Sequence, residues 1–208
     1  GRVVRLQRGE RSKMDVYSDD PASVARDFAA AGAEWIHVVD LSATFEEDEE
    51  ACAANAAAIR AICQVPGVSV DCGGGVRSMA AVSRLADLGV RRIALVRDPA
   101  FAERAAAEFG ELLVADVAAK DGVVKVNGWR EGEKVSLSEL VGRLSGLGYR
   151  HLVFTDINRD GMQTGVDVDA YRSLAALCGF PVVASGGIST LDDVRALAAA
   201  GPDVIEGA

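Results

Sequence analysis

Short, almost continuously apolar runs rich in β-branched residues alternate with alanine-rich stretches whose apolar positions recur every three or four residues. The runs at 36–41, 68–72, 92–96, 112–117, 151–157, 181–185 and 203–206 predict strands. They are too short and too uniformly apolar for half-exposed antiparallel strands, and match the pattern of buried parallel ones. The stretches at 23–31, 55–63, 79–88, 137–147 and 191–200 predict amphipathic helices. Gly32, Gly89, Gly148 and Gly201 stand where helices should stop. Strand and helix alternate throughout, which predicts an α/β fold with a parallel sheet.

The chain also resembles itself. Gly74-Gly75-Val76-Arg77 recurs as Gly186-Gly187-Ile188-Ser189 at an offset of 112 positions, and Gly89 and Gly201 keep that offset. The segment from Gly32 to Asp40 recurs from Gly148 to Asp156 at an offset of 116. Two half-chain repeats, approximately 1–110 and 111–208, predict one (β/α)8 TIM barrel domain over 1–208 rather than a doubly wound sheet. On that repeat the counterpart of the strand ending at Asp116 falls at the chain start, where the pattern predicts no strand, and no helix follows 203–206. Barrels of this kind run to about 250 residues. The expectation is a barrel truncated at both ends, with its first strand and last helix missing.

Charge narrows the partners. The 208 residues carry a formal net charge of −9, half are apolar, and no apolar run reaches a bilayer-spanning length. These figures argue against a general nucleic-acid or anionic-membrane binder and leave room only for a local basic site. The start, Gly1-Arg2-Val3-Val4-Arg5, is neither a signal nor a transit peptide. Four cysteines without a CxxC spacing read as reduced thiols, and a cytoplasmic protein is expected. Two histidines without ligand-spaced partners give no metal site.

The chemistry concentrates at predicted strand ends. Gly73-Gly74-Gly75-Val76-Arg77-Ser78 follows a strand and opens a helix, and Ser185-Gly186-Gly187-Ile188-Ser189 repeats the arrangement. Glycines let backbone N–H groups approach a phosphate, and Arg77 can add a charge-assisted contact. The plainer reading makes them tight turns, with Ser78 and Ser189 as helix caps. Two such loops imply a ligand phosphorylated at each end. Asp40, Asp116 and Asp156 each close a predicted strand, with Asp160 four residues further on. Carboxylates across a barrel mouth can shuttle protons, while a single strand-end Asp is as often a cap or an ion-pair partner. The acidic run 46–50 reads as a solvated loop. His37 and His151 fall inside strands and read as packing residues. Trp129, in a polar loop, suits stacking on a flat ligand or covering the barrel rim.

In this order the motifs Gly1-Arg2-Val3-Val4-Arg5-Leu6, Trp35-Ile36-His37-Val38-Val39-Asp40-Leu41, Gly73 to Ser78, Thr155-Asp156-Ile157-Asn158-Arg159-Asp160-Gly161 and Val183 to Ser189 resemble one family over nearly the whole chain. It is the phosphoribosyl isomerase family of histidine biosynthesis, including its branch that also serves tryptophan biosynthesis. The resemblance implies an Amadori rearrangement: the ribose ring of an aminoaldose opens and a proton moves to give the aminoketose, without metal or organic cofactor. It further implies Asp160 as the general acid at the ring oxygen, with Asp116 and Thr155 orienting substrate and catalytic groups. Gly74, Gly75 and Arg77 match one phosphate site and Ser185, Gly186 and Gly187 the other. Arg5 and Trp129 match positions that reach the substrate from loops. The partner implied is a bis-phosphorylated sugar, and a monomer is expected.

Three departures qualify the match. The family's general base, an Asp ending the first strand, would precede Gly1, so the 208-residue chain is expected to be inactive by itself. The stretch 92–99 is shorter than the family pattern, which carries a Gly-Thr phosphate loop there. Asn127 stands where the bifunctional branch tends to carry Arg, although the spacing from Asp116 to Trp129 has that branch's length. Bifunctional ancestry follows, with the phosphoribosylanthranilate isomerase activity weakened or lost. Two alternatives stay open: the sister cyclase of the same pathway, and a phosphosugar-binding chain without turnover.

Overall fold

The computed structural model describes residues 1–7, 10–95, 99–124, 136–159 and 164–208. The chain divides into two compact units, Gly1–Ala94 and Leu95–Ala208.

The first unit opens with an antiparallel hairpin, β1 (Val3–Gln7) and β2 (Glu10–Ser18). The pattern predicts no strand here, because polar side chains interrupt both segments: Arg5 in one, Arg11, Lys13 and Asp15 in the other. A two-stranded ribbon needs no buried face on both sides, so its sequence lacks the apolar run that marks a sheet interior. After helix α1 (Pro21–Ala30), capped by Asp20, the strands β3 (Trp35–Val39), β4 (Ser69–Gly73) and β5 (Arg92–Ala94) pair in parallel order. The helices α2 (Leu41–Thr44), α3 (Glu49–Cys63) and α4 (Met79–Leu88) connect them. Ile59, Ile62, Val70, Cys72, Val82, Leu85 and Ile93 form the core between helices and sheet.

The acidic run is the expected loop only over Glu46 to Asp48; its last two residues are helical. Asp48 caps α3 through Ala51 N at 2.9 Å, and Glu49 and Glu50 fill the first helical turn. Carboxylates at a helix start meet the positive end of the helix dipole and its spare N–H groups, which offsets their mutual repulsion. Glu47 pairs with Arg11, whose guanidinium also lies 5.9 Å from the Phe45 ring, so the hairpin is tied to the segment after α2.

The second unit repeats the scheme. Helix α5 (Pro99–Phe109) precedes β6 (Leu113–Lys120), to which the short β7 (Val123–Val124) adds antiparallel. The strands β6, β8 (Leu152–Asp156), β9 (Val182–Ser185) and β10 (Ile205–Gly207) pair in that order, all parallel. Helices α6 (Leu137–Gly146), α7 (Val168–Cys178) and α8 (Leu191–Ala199) link them. Ala115, Val117, Ala119, Leu152, Phe154, Val182 and Ala184 point to the buried face, where Phe154 meets Tyr171 edge-on at 5.8 Å. The α/β prediction with parallel strands therefore holds in each unit. No helix among the described residues is long and apolar enough to cross a membrane.

Candidate active site

Strand alternation decides which side chains leave the core. In β6 the residues of one face are buried, while Asp116 and Lys120, on the other, are exposed. Register pairs place Asp116 beside Val153 and Val183, and Ala118 beside Thr155 and Ser185. Asp116, Thr155 and Ser185 thus share one face on three adjacent strands, the face that helices α6 and α7 do not cover. Asp116 does not close its strand as predicted: β6 runs on to Lys120, because the apolar alternation continues through Ala118 and Ala119.

The other strand-end carboxylates do structural work. Asp40 caps α2 through Ala43 N at 3.1 Å and accepts from Asn55 Nδ2 at 2.7 Å. Asp156 accepts from Asn158 N at 2.9 Å and lies 3.4 Å from Arg159 Nε. Asp160 and Trp129 lie outside the described residues, as does Asn127.

In the first unit the Gly73 to Ser78 loop is pressed onto α2. Gly74 and Gly75 have φ of 93° and 65°. A Cβ at Gly74 would stand 2.6 Å from Asp40 O, and one at Gly75 would overlap the Ala43 backbone. Arg77 Nη1 donates to Ala43 O at 2.6 Å and Nη2 to Thr44 O at 2.8 Å, while Nε lies 3.5 Å from Glu46. Two guanidinium N–H groups therefore serve carbonyls at the end of α2. Ser78 caps α4 through Ala81 N at 3.2 Å.

The second unit carries the same turn. Gly186 and Gly187 have φ of 80° and 78°, and a Cβ on Gly187 would stand 2.9 Å from both Arg159 Cβ and Gly165 O. The cap of α8 is Thr190 rather than Ser189. The 112-residue offset itself selects Thr190 as the partner of Ser78. Asp193 accepts from the N–H and hydroxyl groups of both Ser189 and Thr190, and these bonds, led by Ser189 N–H, lower its pKa to about 2.

Two supporting residues escaped the sequence reading. Arg159 Nη1 contacts the Thr164 and Gly165 carbonyls at 3.3 Å, doing beside Gly187 what Arg77 does beside Gly75. Tyr171 donates its hydroxyl to Ser185 O at 3.1 Å, and burial pushes its pKa up to about 12. Arg5, by contrast, sits on β1 and lines a cleft of about 810 Å³ in the first unit, together with His37, Asp40, Phe45 and Asn55.

A parallel α/β protein whose strands run into paired glycine turns, with acidic and hydroxyl side chains on the uncovered sheet face, belongs to the class that binds phosphorylated small molecules at strand C-termini. The chain belongs to the histidine biosynthesis protein family, whose signature matches residues 1–207. A similar protein from Rhizorhabdus wittichii is 41% identical over all of this chain and 85% of its own length. One from Acidiphilium cryptum is 40% identical over 96% of this chain and 81% of its own. A third, from Desulfitobacterium hafniense, is 42% identical over 95% and 79% respectively. All three are named 1-(5-phosphoribosyl)-5-((5-phosphoribosylamino)methylideneamino) imidazole-4-carboxamide isomerase.

Proposed function

We propose that this protein is an aldose–ketose isomerase that carries out the Amadori rearrangement of the bis-phosphorylated imidazole-carboxamide aminoaldose named for its relatives. The observation that carries this reading is the register that sets Asp116, Thr155 and Ser185 on one uncovered sheet face beside the Gly186-Gly187 turn. We read the two units as the halves of a two-fold repeated (β/α)8 barrel, each half contributing one glycine turn as a phosphate cradle.

Asp160 protonates the ribose ring oxygen, the C1–O bond breaks, and the amino nitrogen lone pair forms the iminium. Loss of the C2 proton to a base gives the enolamine; protonation at C1, with loss of the C2 hydroxyl proton as the C2=O bond forms, yields the aminoketose. Asp116 and Thr155 orient the opened sugar. Gly74, Gly75 and Arg77 hold one phosphate and Ser185, Gly186 and Gly187 the other, with Arg5 and Trp129 contacting the substrate. The protein acts as a cytoplasmic monomer.

The test is turnover by the native gene product on this aminoaldose and, separately, on phosphoribosylanthranilate. Conversion of the first with Asp160→Asn at least about 100-fold slower supports the reading. No conversion of the first substrate, or an unaltered rate in Asp160→Asn, refutes it. Conversion of the second substrate assigns the additional activity.

A further inference from the structure

The two glycine turns share a backbone shape and differ in what supports them. Gly75 and its repeat Gly187 have φ of 65° and 78°, and each is pressed onto the segment that leaves the preceding strand. A Cβ at Gly75 would meet the Ala43 backbone, and one at Gly187 would stand 2.9 Å from both Arg159 Cβ and Gly165 O. The repeat makes these seats equivalent: Arg159 follows Ala43 by the 116 positions that relate Asp40 to Asp156.

The arginine has changed sides between them. In the first unit Arg77, two residues past Gly75, reaches back and donates to the Ala43 and Thr44 carbonyls. The 112-residue offset puts Ser189 at that position in the second unit, and its hydroxyl donates to Asp193 Oδ2 at 3.2 Å. The guanidinium comes instead from the seat itself. Arg159 Nη1 donates to the Thr164 and Gly165 carbonyls, both at 3.3 Å. Its Nε faces Asp156 Oδ2 at 3.4 Å, and Nη2 faces Asp167 Oδ2 at 3.7 Å. One planar group thus joins the last residue of β8, the cap of α7 and the carbonyl against which Gly187 rests. Each of its nitrogens faces a protein partner, and two carboxylates offset its charge.

We propose that Arg159 is a positioning residue for the second phosphate cradle: it braces the floor under Gly187 and so holds the Gly186-Gly187 turn in its anion-binding shape, without touching the phosphate. Backbone N–H groups bind an anion only while they converge on it, and unbraced glycines surrender such a shape readily. The cradle rests on the proposed isomerase reading; the brace does not.

Nitrogen-15 NMR of the labelled native gene product, titrated with inorganic phosphate, reads each turn through its own glycine amides. The Gly187 amide should shift with phosphate in the parent. Arg159→Ala should raise the Kd read there about 10-fold, while the Gly75 amide responds as before. Arg159→Lys should stay within about threefold of Arg159→Ala, because an ammonium cannot bridge two carbonyls and two carboxylates in one plane. In turnover, both variants should raise KM about 10-fold with kcat changed less than about threefold. Binding restored in Arg159→Lys would mean a direct charge contact with the phosphate and overturn the proposal. An unchanged Gly187 response in Arg159→Ala, an equal loss at Gly75 or a loss confined to kcat would overturn it as well. A Gly187 amide that ignores phosphate in the parent does so without any variant. If the gene product converts no aminoaldose, the functional reading fails while the titration still decides Arg159.

Discussion

Gly74→Ala tests how firmly the first glycine turn is seated. Two costs follow from the structure. Alanine must adopt a φ near 93°, a left-handed conformation that costs an L-residue about 1–2 kcal/mol. Its Cβ must also enter a space where Asp40 O lies at 2.6 Å and Asp40 N at 2.9 Å, both backbone atoms that no side-chain rotation can move. Overpacking of this kind costs about 1–3 kcal/mol. Gly67→Ala isolates the second cost, since Gly67 has a φ of 86° but nothing within 4 Å of its would-be Cβ. Thermal melts followed by circular dichroism should therefore show both variants less stable. Gly74→Ala should melt a further ~6 °C lower at the middle of both ranges, at about 2–4 °C per kcal/mol for a chain of this size. Equal melting temperatures would mean that the turn is not pressed against Asp40, and the seat of the first cradle would be lost with it.

The carboxylates offer a second contrast: Asp40→Ala orphans Ala43 N–H and the Asn55 amide and should cost about 1–3 kcal/mol in a denaturant melt, while Asp116→Asn should act chiefly on turnover by the native gene product. The reverse pattern would exchange their assigned roles. Asp193 has a depressed pKa, so its stabilisation is complete above its ordinary value near 3.8 and fades as pH falls toward about 2. Asp193→Asn should accordingly melt below the parent at pH 7, with the gap closing across that window; a pH-independent gap would deny the linkage. Burial raises Cys72 to about 12 and Cys178 to about 11, with Asp40 and Asp71 adding to the first. Both thiols should resist alkylation at pH 8 until the chain unfolds, and their contribution to stability should fall as pH rises above about 9, where only the unfolded thiols ionise. Labelling of Cys72 in the native protein would place it outside the core.

The strands were legible because each sheet packs one face under its helices and lines much of the other with small and apolar residues, which leaves near-continuous apolar runs. All seven predicted strands appear within a few residues of their expected limits. What escaped the pattern follows from the same physics. The hairpin 3–18 buries neither face, so Arg5, Lys13 and Asp15 interrupt it without penalty. The start of α3 is polar because helix N-termini favour Asp and Glu, so Asp48, Glu49 and Glu50 continue the loop's acidic pattern into the cap and first turn. Of the candidate site, the glycine turns were legible through the 112-residue repeat, down to Thr190 when the offset is followed instead of the nearest serine. Arg159 and Tyr171 were not, since their task is to hold carbonyls that only the fold brings near.

That distinction also sorts the aspartates. A carboxylate at the last residue of an apolar strand, or one beyond it, stands where the next helix or turn begins, and unpaired N–H groups there compete for it. Asp40 and Asp156 have been captured in this way, by Ala43 N and Asn158 N. Asp116 lies within its strand, between Ala115 and Val117, whose amides belong to the sheet. Alternation sends those neighbours into the core and Asp116 to the opposite face, level with Val153 and one row from Thr155 and Ser185. Sheet hydrogen bonding therefore denies Asp116 the capping role that its two counterparts fill. The register therefore sorts the three by place: Asp40 and Asp156 serve the turns that follow their strands, and Asp116 stands on the face where the proposed isomerase reading seats the sugar.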